Sequence, residues 1–154
     1  MKKAGILFPI SVLPSQYGIG DFGKEAYDLV DKLHHANIKI WQILPLNPLG
    51  YGNSPYQPLS SQAGDEIFIS IDLLVEEGLL TKQEAHSFLQ DSKSVQYEKV
   101  RVYKNELFKK AYSRFTKNDD YYHFIENNPW VKDYATFRVF KAYNNNEAWT
   151  YWKD

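Results

Sequence analysis

The apolar positions in the first part of the chain follow two different periods, which predict a strand, a helix and a second strand. Residues 4–8 form a short apolar run, typical of a buried strand, and residues 38–44 form a β-branched and aromatic run that predicts another. Between them, apolar residues recur every three or four positions, with charged residues on the other side, as in an amphipathic helix. Those apolar residues are Phe22, Ala26, Leu29, Val30 and Leu33. This order predicts a βαβ unit with parallel strands and a right-handed crossover.

Polar residues predict the two ends of this helix. Asp21 precedes the first apolar position, and its carboxylate is of the kind that caps a helix N-terminus. Asn37 follows the last periodic residue, and asparagine tolerates the left-handed conformation in which many helices end. We therefore expect the helix to lie between Asp21 and Asn37.

The second half of the chain has the pattern of helices and no further convincing strand. Thr81–Glu84 has the sequence of a capping box, which predicts that a helix begins there. A further amphipathic helix is predicted along residues 97–115. Another is predicted to begin at Asn128-Pro129, an N-cap followed by proline at the first helical position, and to stop at the asparagines 144–146.

These elements are too few to complete a parallel α/β fold. Residues 67–71 fit a third short strand or an extended segment, yet two or three parallel strands cannot close a sheet, and a (β/α)8 barrel needs eight strands and about 250 residues. With 154 residues, the chain is predicted to be a fragment of such a fold, or a subunit completed by something else. We expect its strands and first helix in residues 1–80 and a mainly helical subdomain in residues 81–154.

Composition and charge exclude several classes of partner. The net charge of −1 gives no electrostatic basis for nucleic acid or an anionic membrane as the main partner. No segment approaches the ~20 apolar residues of a membrane span, and Pro9 interrupts the N-terminal apolar run that would otherwise resemble a signal peptide. The absence of cysteine excludes disulfides and thiolate metal ligands, and it suits a reducing compartment. We therefore expect a cytoplasmic protein.

Three common kinds of catalytic or cofactor site are not indicated by the sequence. The four histidines lack a zinc-binding spacing, so no metal site is predicted. The glycines at 18, 20 and 23 resemble a dinucleotide-binding loop, but the acidic residue expected near residues 37–41 is missing, so a tight loop before a helix is the simpler interpretation. No pair of carboxylates stands out at strand ends, as glycoside chemistry requires. The sequence predicts neither a cofactor nor a catalytic residue in this chain.

The stretch after the second predicted strand carries more chemistry than a turn needs. It reads GYGNSPYQP at residues 50–58, and although most aromatic residues, 16% of the chain, are expected in the core, two tyrosines here accompany a serine and two glycines. A tyrosine ring stacks on a pyranose face, and ligands of parallel α/β folds bind beyond the carboxyl ends of strands. Tyr51, Ser54 and Tyr56 are therefore candidates for a sugar site. A structural loop whose tyrosines pack on the end of the fold is equally compatible with the sequence.

Several segments strongly resemble the N-terminal part of 4-alpha-glucanotransferases, the amylomaltase or disproportionating-enzyme family. They are YGIGDFG at 17–23, WQILPLNPLGYGNSPYQ at 41–57, GLL at 78–80, DYATF at 133–137 and the tryptophans at 149 and 152. The resemblance implies an α/β fold, the N-terminal βαβ portion of a (β/α)8 TIM barrel with a mainly helical insertion, the barrel being incomplete in this chain. It also implies an enzyme that transfers α-1,4-glucan segments between maltooligosaccharides by a retaining covalent mechanism without a required cofactor.

The resemblance further implies roles for particular residues. Ser54 and Tyr56 would line glucan subsites near the scissile bond, and Tyr51 would belong to a glucan-contacting aromatic surface. The catalytic carboxylates of the family are expected downstream and absent here, so the chain alone is expected to be inactive. Many members read A-G-N-P where this chain has Ala63-Gly-Asp-Glu66, and H-P-T-S-L-P where it has Pro9-Ile-Ser-Val-Leu-Pro14, so local loop contacts are expected to differ.

Two other interpretations are compatible with the sequence. The first is a non-catalytic carbohydrate-binding module that uses the same aromatic loop. The second is a structural fragment that self-associates to cover its open sheet edge. Titration with maltoheptaose, a transfer assay and the mass of the chain in solution distinguish these interpretations from the first.

Overall fold

The computed structural model describes residues 2–88 and 94–152, with the side chain of Tyr51 excepted. Two compact units divide the chain, one of residues 1–59 and 64–115 and the other of residues 60–63 and 116–154. The first unit contains both described strands and the candidate site residues.

A parallel pair of short strands, β1 (Gly5–Leu7) and β2 (Ile40–Gln42), belongs to the first unit. Their register places Ile6 opposite Trp41. Helix α1 (Lys24–His35) lies between them in the chain. The predicted strand, helix and parallel strand are therefore confirmed, although each strand is shorter than its apolar run because regular pairing extends over only three residues.

The prediction that the first strand is buried is wrong. Leu7 of β1 is 57% exposed, and Ile40 of β2 is 49% exposed. Parallel strands are buried when helices or further strands cover both faces of the sheet, and the sheet of the described residues has only two strands. The apolar run thus predicts the strand correctly but not its burial within this chain.

The hydrophobic core of the first unit joins the turn after β1 to a long helix, α3 (Tyr97–Arg114). One cluster of buried residues comprises Ile10, Leu13, Ile19, Ala26, Ile67, Phe68 and Val100. A second comprises Tyr17, Ile71, Leu80, Tyr103, Leu107 and Ala111. Because α3 contributes to both clusters, the predicted amphipathic helix at residues 97–115 is confirmed and forms one wall of the core.

Helix α1 begins at Lys24, and Asp21 does not cap it as predicted. Asp21 Oδ1 accepts a hydrogen bond from the Gly23 backbone N–H (3.0 Å), before the helix starts, and Oδ2 accepts one from Lys104 Nζ (3.3 Å). The carboxylate is thus bound to the preceding turn and to α3, so the N-cap prediction is wrong. Asn37 has a φ of 56°, which confirms the left-handed conformation predicted for the end of this helix.

The strand alternative for residues 67–71 is also wrong. Asp65 caps a 3-10 turn at Glu66–Phe68 by accepting a hydrogen bond from a backbone N–H of that turn (3.0 Å). Ser70 caps α2 (Ile71–Glu76) in the same way (3.4 Å). The two side-chain caps favour successive helical turns in this apolar run. The hydrophobicity of the run alone does not decide between a strand and helical turns.

The predicted capping box at Thr81 and Glu84 forms both of its hydrogen bonds but starts no helix among the described residues. The Thr81 N–H donates to Glu84 Oε2 (2.9 Å), and the Glu84 N–H donates to Thr81 Oγ1 (3.2 Å). Arg114 also binds the Glu84 carboxylate through both terminal nitrogens (2.7 and 2.8 Å), and the Phe88 N–H donates to the Gln16 carbonyl (2.8 Å). These tertiary contacts hold the segment after a single turn, so the predicted helix start is wrong.

The second unit confirms the predicted helical character of its part of the chain. It contains α4 (Asp119–Asn127) and α5 (Trp130–Tyr143). Asn128 does not cap α5, because its side chain donates to the Phe124 carbonyl (2.9 Å) and accepts from Trp130 Nε1 (3.2 Å). Left-handed asparagines at 145 and 146, with φ of 53° and 61°, end the helix as predicted.

Apart from residues 60–63, the second compact unit begins after residue 115, so α3 belongs to the first unit. The predicted division into residues 1–80 and 81–154 refers to a barrel and its helical insertion. It stays a prediction, because the two compact units are defined by contacts within the chain, and such contacts do not show which residues belong to a barrel and which to an insertion.

Candidate functional site

The candidate site residues lie in a closed loop, residues 50–57, that the chain enters after leaving the carboxyl end of β2. An antiparallel bridge between Leu49 and Pro58 closes this loop. Next to it, the Leu59 N–H donates to the Pro48 carbonyl (2.9 Å). The ends of the 50–57 loop are therefore fixed by backbone pairing, whatever its tip contacts.

The sequence of the 50–57 loop suits its backbone. A Cβ atom at Gly50 would lie 2.2 Å from the Gln57 carbonyl oxygen, so only glycine fits where the two sides of the loop approach. Gly52 and Asn53 have φ of 68° and 55°, the left-handed region that glycine and asparagine adopt most readily. Ser54 Oγ accepts a hydrogen bond from the Tyr56 N–H (3.3 Å) and shapes the turn toward the second tyrosine.

The predicted site residues Ser54 and Tyr56 lie close together in the 50–57 loop and differ in exposure. Tyr56 is 71% exposed, so its ring is not used in the core of this unit. Ser54 is half-buried two residues before it, and the two side chains share one turn of the loop. Tyr51 begins a short 3-10 turn, but its side chain lies outside the described part of the structure. A sugar-binding role for the three residues stays a prediction.

A small cavity of about 60 Å³ lies against the inner side of this loop. Asn53 and Pro55 line it together with the turn after β1, the segment after β2 and Tyr97. Pockets that enclose a small molecule have volumes of about 300–1,000 Å³, and a water molecule occupies about 30 Å³. The cavity is therefore too small for a sugar.

A larger cavity of about 480 Å³ lies beside the turn after β1. Three serines, Ser11, Ser15 and Ser94, line it together with Leu13, Phe88 and other residues. None of the predicted site residues lines this cavity.

A buried carboxylate at the base of the loop was not predicted from the sequence. Asp65 accepts a hydrogen bond from the Leu49 N–H (3.2 Å) and, through both oxygens, from Arg101 Nη1 and Nη2 (2.9 and 2.6 Å). Its own N–H donates to the Leu46 carbonyl (2.7 Å). The departure from A-G-N-P at Ala63–Glu66 was the available signal, but the sequence did not indicate its partner on α3.

A second buried ion pair holds the neighbouring turn. Lys104 Nζ donates to Asp21 Oδ2 (3.3 Å) and to the carbonyls of Ile67 (2.7 Å) and Ile69 (3.0 Å). Burial raises the pKa of Asp21 and lowers the pKa of Lys104, while the attraction between the two opposes both changes. Two basic residues of α3, Arg101 and Lys104, thus organise the segment that packs beneath the loop.

The chemistry available in the loop is that of binding. It offers hydroxyl, amide and aromatic groups, and residues 50–57 include no carboxylate. No group of three or more His, Cys, Asp or Glu residues that could hold a metal occurs within residues 2–88 and 94–152. In the same part of the chain, every helix is too short or too polar to span a bilayer.

Comparisons with known proteins point to one family. A profile of the 4-alpha-glucanotransferase family matches residues 8–154. The 4-alpha-glucanotransferase of Streptococcus pneumoniae serotype 4 is 42% identical over 159 residues, covering 99% of this chain and 32% of that protein. The 4-alpha-glucanotransferase of Aquifex aeolicus is 40% identical over 157 residues, covering 100% of this chain and 32% of that protein.

A solved structure is similar over nearly the whole chain. Amylomaltase from Streptococcus agalactiae in complex with acarbose matches with a TM-score of 0.90 and 38% identity, covering 99% of this chain and 32% of that one. The chain thus spans about a third of the length of the proteins that it matches. The match confirms a partial α/β fold, and the resemblance carried by residues 17–23 and 41–57 is confirmed as well. The chain belongs to the 4-alpha-glucanotransferase family.

Proposed function

We propose that this chain is the N-terminal segment of a cytoplasmic 4-alpha-glucanotransferase that transfers α-1,4-glucan segments between maltooligosaccharides. In this proposal it supplies the first strands of a (β/α)8 TIM barrel and a mainly helical insertion. Family membership and the similarity to an amylomaltase solved with acarbose support this class of substrate. The exposed apolar side chains of Leu7 and Ile40 are suited to packing in a complete barrel.

The exposed ring of Tyr56 carries the proposal. A large aromatic side chain gains free energy when it leaves water, yet this one is held outside the core on a loop closed by backbone pairing. The face of a pyranose ring is a flat apolar surface that such a side chain can cover, and the phenol group can bond to sugar hydroxyls. We place Ser54 beside it as a further contact and Tyr51 on the adjoining aromatic surface.

In the proposed enzyme, the loop positions the glucan, and carboxylates outside this chain carry out the retaining covalent steps. The loop has no carboxylate, whereas retaining glycoside chemistry ordinarily uses a pair of them. Positioning contributes to the rate because an oriented substrate has already lost the freedom that the transition state does not allow. The isolated chain is therefore expected not to transfer glucan.

A chimera tests the proposal. In the chimera, this chain replaces the matching N-terminal third of the Streptococcus pneumoniae enzyme, to which it is 42% identical. We expect the chimera to transfer glucose units between maltotriose molecules, and we expect Tyr56→Ala to lower kcat/KM about tenfold through the loss of ring stacking. Ser54→Ala is expected to lower it less, because one hydroxyl contact is lost.

Tyr112→Ala is the matched control, since it removes an exposed tyrosine from α3. Calorimetric titration of each variant with acarbose measures binding separately from turnover. Unchanged kcat/KM and unchanged acarbose affinity in Tyr56→Ala would contradict the role given to the loop. A folded chimera that transfers no glucan would contradict the activity.

A further inference from the structure

One buried carboxylate holds the stem of the 50–57 loop. Residues 46–49 lead into the loop, and Asp65 binds both ends of this stem. Its backbone N–H donates to the Leu46 carbonyl (2.7 Å), and its carboxylate accepts from the Leu49 N–H (3.2 Å). Leu49 also pairs with Pro58 to close the loop. The placement of the loop therefore depends on the placement of Asp65.

Arg101 fixes Asp65 to helix α3. Its two terminal nitrogens donate to the two carboxylate oxygens at 2.9 and 2.6 Å, the fork geometry that makes arginine–carboxylate pairs strong. The Asp65 side chain has no exposed surface, and it also accepts from the Ile67 N–H (3.0 Å). With Leu49, these donors occupy the acceptor sites of the carboxylate and leave it little freedom to move.

We infer that Asp65 and Arg101 act together as positioning residues that orient the 50–57 loop, and with it Ser54 and Tyr56, toward a glucan. The inference rests on the proposed function for what the loop binds. Many members of the family have asparagine at this position and so lack the ion pair. In this chain the negative charge is necessary to the link, because Arg101 binds both carboxylate oxygens and a carboxamide has only one acceptor oxygen. A displacement of about 1 Å in a substrate-positioning group is enough to slow an enzyme markedly.

Asp21 offers a matched comparison. It is also a buried carboxylate bound to a basic residue of α3, because Lys104 lies about one helical turn from Arg101. Its other hydrogen bond goes to the Gly23 N–H, before α1, and not to the loop stem. Asp21→Asn therefore weakens a buried ion pair of the same unit and separates a general loss of stability from a loss of loop placement.

Amide hydrogen exchange in the folded 154-residue chain tests the link without any ligand. Asp65→Asn and Arg101→Met are each expected to speed exchange at Leu49, Gln57 and Leu59 about tenfold relative to amides of α1, because each removes charge-assisted hydrogen bonds. The double variant is expected to exchange no faster than the faster single variant, since both substitutions break the same link. Asp21→Asn is expected to leave the ratio between loop and α1 amides unchanged.

The chimera with the Streptococcus pneumoniae enzyme measures the consequence for catalysis. Asp65→Asn is expected to raise KM for maltotriose about tenfold while kcat falls less, because the displaced loop weakens substrate binding more than the chemical step. Asp21→Asn, compared at a temperature where both variants are folded, is expected to leave KM near the parent value. This split between KM and kcat is not expected from a residue that only stabilises the fold.

Several results would overturn the inference. One is a ratio of loop to α1 amide exchange in Arg101→Met that equals the wild-type ratio. Arg101→Met keeps the Asp65 bonds to Leu49 and Ile67, so it remains available as a test if Asp65→Asn does not fold. Additive effects in the double variant are another, and equal rises in KM for Asp65→Asn and Asp21→Asn are a third. Faster loop exchange in Asp65→Asn combined with no effect of Tyr56→Ala on transfer would support the mechanical link and contradict the proposed function of the loop.

Discussion

The two loops that follow the strands use their apolar side chains in opposite ways. After β1, residues 9–20 turn inward, and Ile10 is only 2% exposed in the core that also contains Leu13 and Ile19. After β2, the chain buries Pro48 and then forms the 50–57 loop, which leaves Tyr56 in solvent. Both loops leave the carboxyl ends of parallel strands, where ligands of α/β proteins bind, so position alone does not distinguish them.

The difference lies in composition and in how each loop is tied. The first loop supplies aliphatic side chains that pack between α1 and α3, and the Gly20 N–H donates to the Ser11 carbonyl (3.2 Å) to close it tightly. The second supplies aromatic rings between glycines and prolines, and its ties lie at its stem. An exposed ring can still gain free energy from a ligand, whereas a buried side chain has already gained it from the core. Composition thus identifies the second loop as the candidate site.

Among the substitutions that test this difference, Ile10→Ala in the first loop is expected to have the largest effect on stability. Truncating a fully buried isoleucine removes apolar contacts and leaves a cavity, so we expect the free energy of unfolding to fall by about 2–5 kcal/mol. Val12→Ala in the same loop is the control, because Val12 is 55% exposed and its truncation should cost no more than about 0.5 kcal/mol. Urea unfolding, followed at amide signals of the first unit, measures both. Similar losses in the two variants would mean that the first loop is not part of the core.

Two glycines give a smaller contrast between the loops. A Cβ atom at Gly20 would lie 2.1 Å from the Ile10 carbonyl oxygen, so Gly20→Ala must move backbone within the core and should cost about 1–3 kcal/mol. Gly52 has nothing within 4 Å of such an atom, and Gly52→Ala should cost about 1 kcal/mol for its left-handed φ of 68°. Urea unfolding compares them. A greater loss from Gly52→Ala would show that the second loop is the more tightly packed one.

Features set by neighbouring residues could be predicted from the sequence. The parallel βαβ unit follows from apolar periods, and the end of α1 at Asn37 follows from the tolerance of asparagine for positive φ. The closed form of the 50–57 loop agrees with its glycines and prolines, because these residues favour turns. The helix end and the loop depend on residues within a few positions of the pattern. The pairing of Gly5 with Ile40 is not local, and it was predictable because βαβ units follow a general rule of connection.

Features set by distant partners could not be predicted. Asp21 has the sequence position of a helix cap but pairs with Lys104, 83 residues away, and Asp65 pairs with Arg101, 36 residues away. The capping box at Thr81–Glu84 forms its local bonds, yet Arg114 and the packing around it stop the helix. A local pattern states what a segment can form, and tertiary contacts decide whether it does so.

Tyr17 extends the comparison to the effect of pH on the first loop. Its hydroxyl donates to Asp72 Oδ1, and burial, followed by this hydrogen bond to a carboxylate, raises its pKa above the ordinary value of 10.0. The unfolded chain loses this proton near pH 10 while the folded chain retains it, so the stabilisation is complete below that pH and is lost as the pH rises toward the folded-state pKa.

The smallest predicted effect follows from that sign. At pH 7 we expect Tyr17→Phe to lower the free energy of unfolding by about 1 kcal/mol, the net value of one hydrogen bond. Above pH 10 the difference between wild type and Tyr17→Phe should shrink, because the wild type alone carries the Tyr17 proton. Burial also raises the pKa of Tyr103 to about 12, but Tyr103 is common to both proteins and cancels in the difference. Urea unfolding between pH 7 and pH 11 measures this difference. A constant difference over that range would mean that Tyr17 ionises equally in both states, and the first loop would then be no more buried in solution than the second.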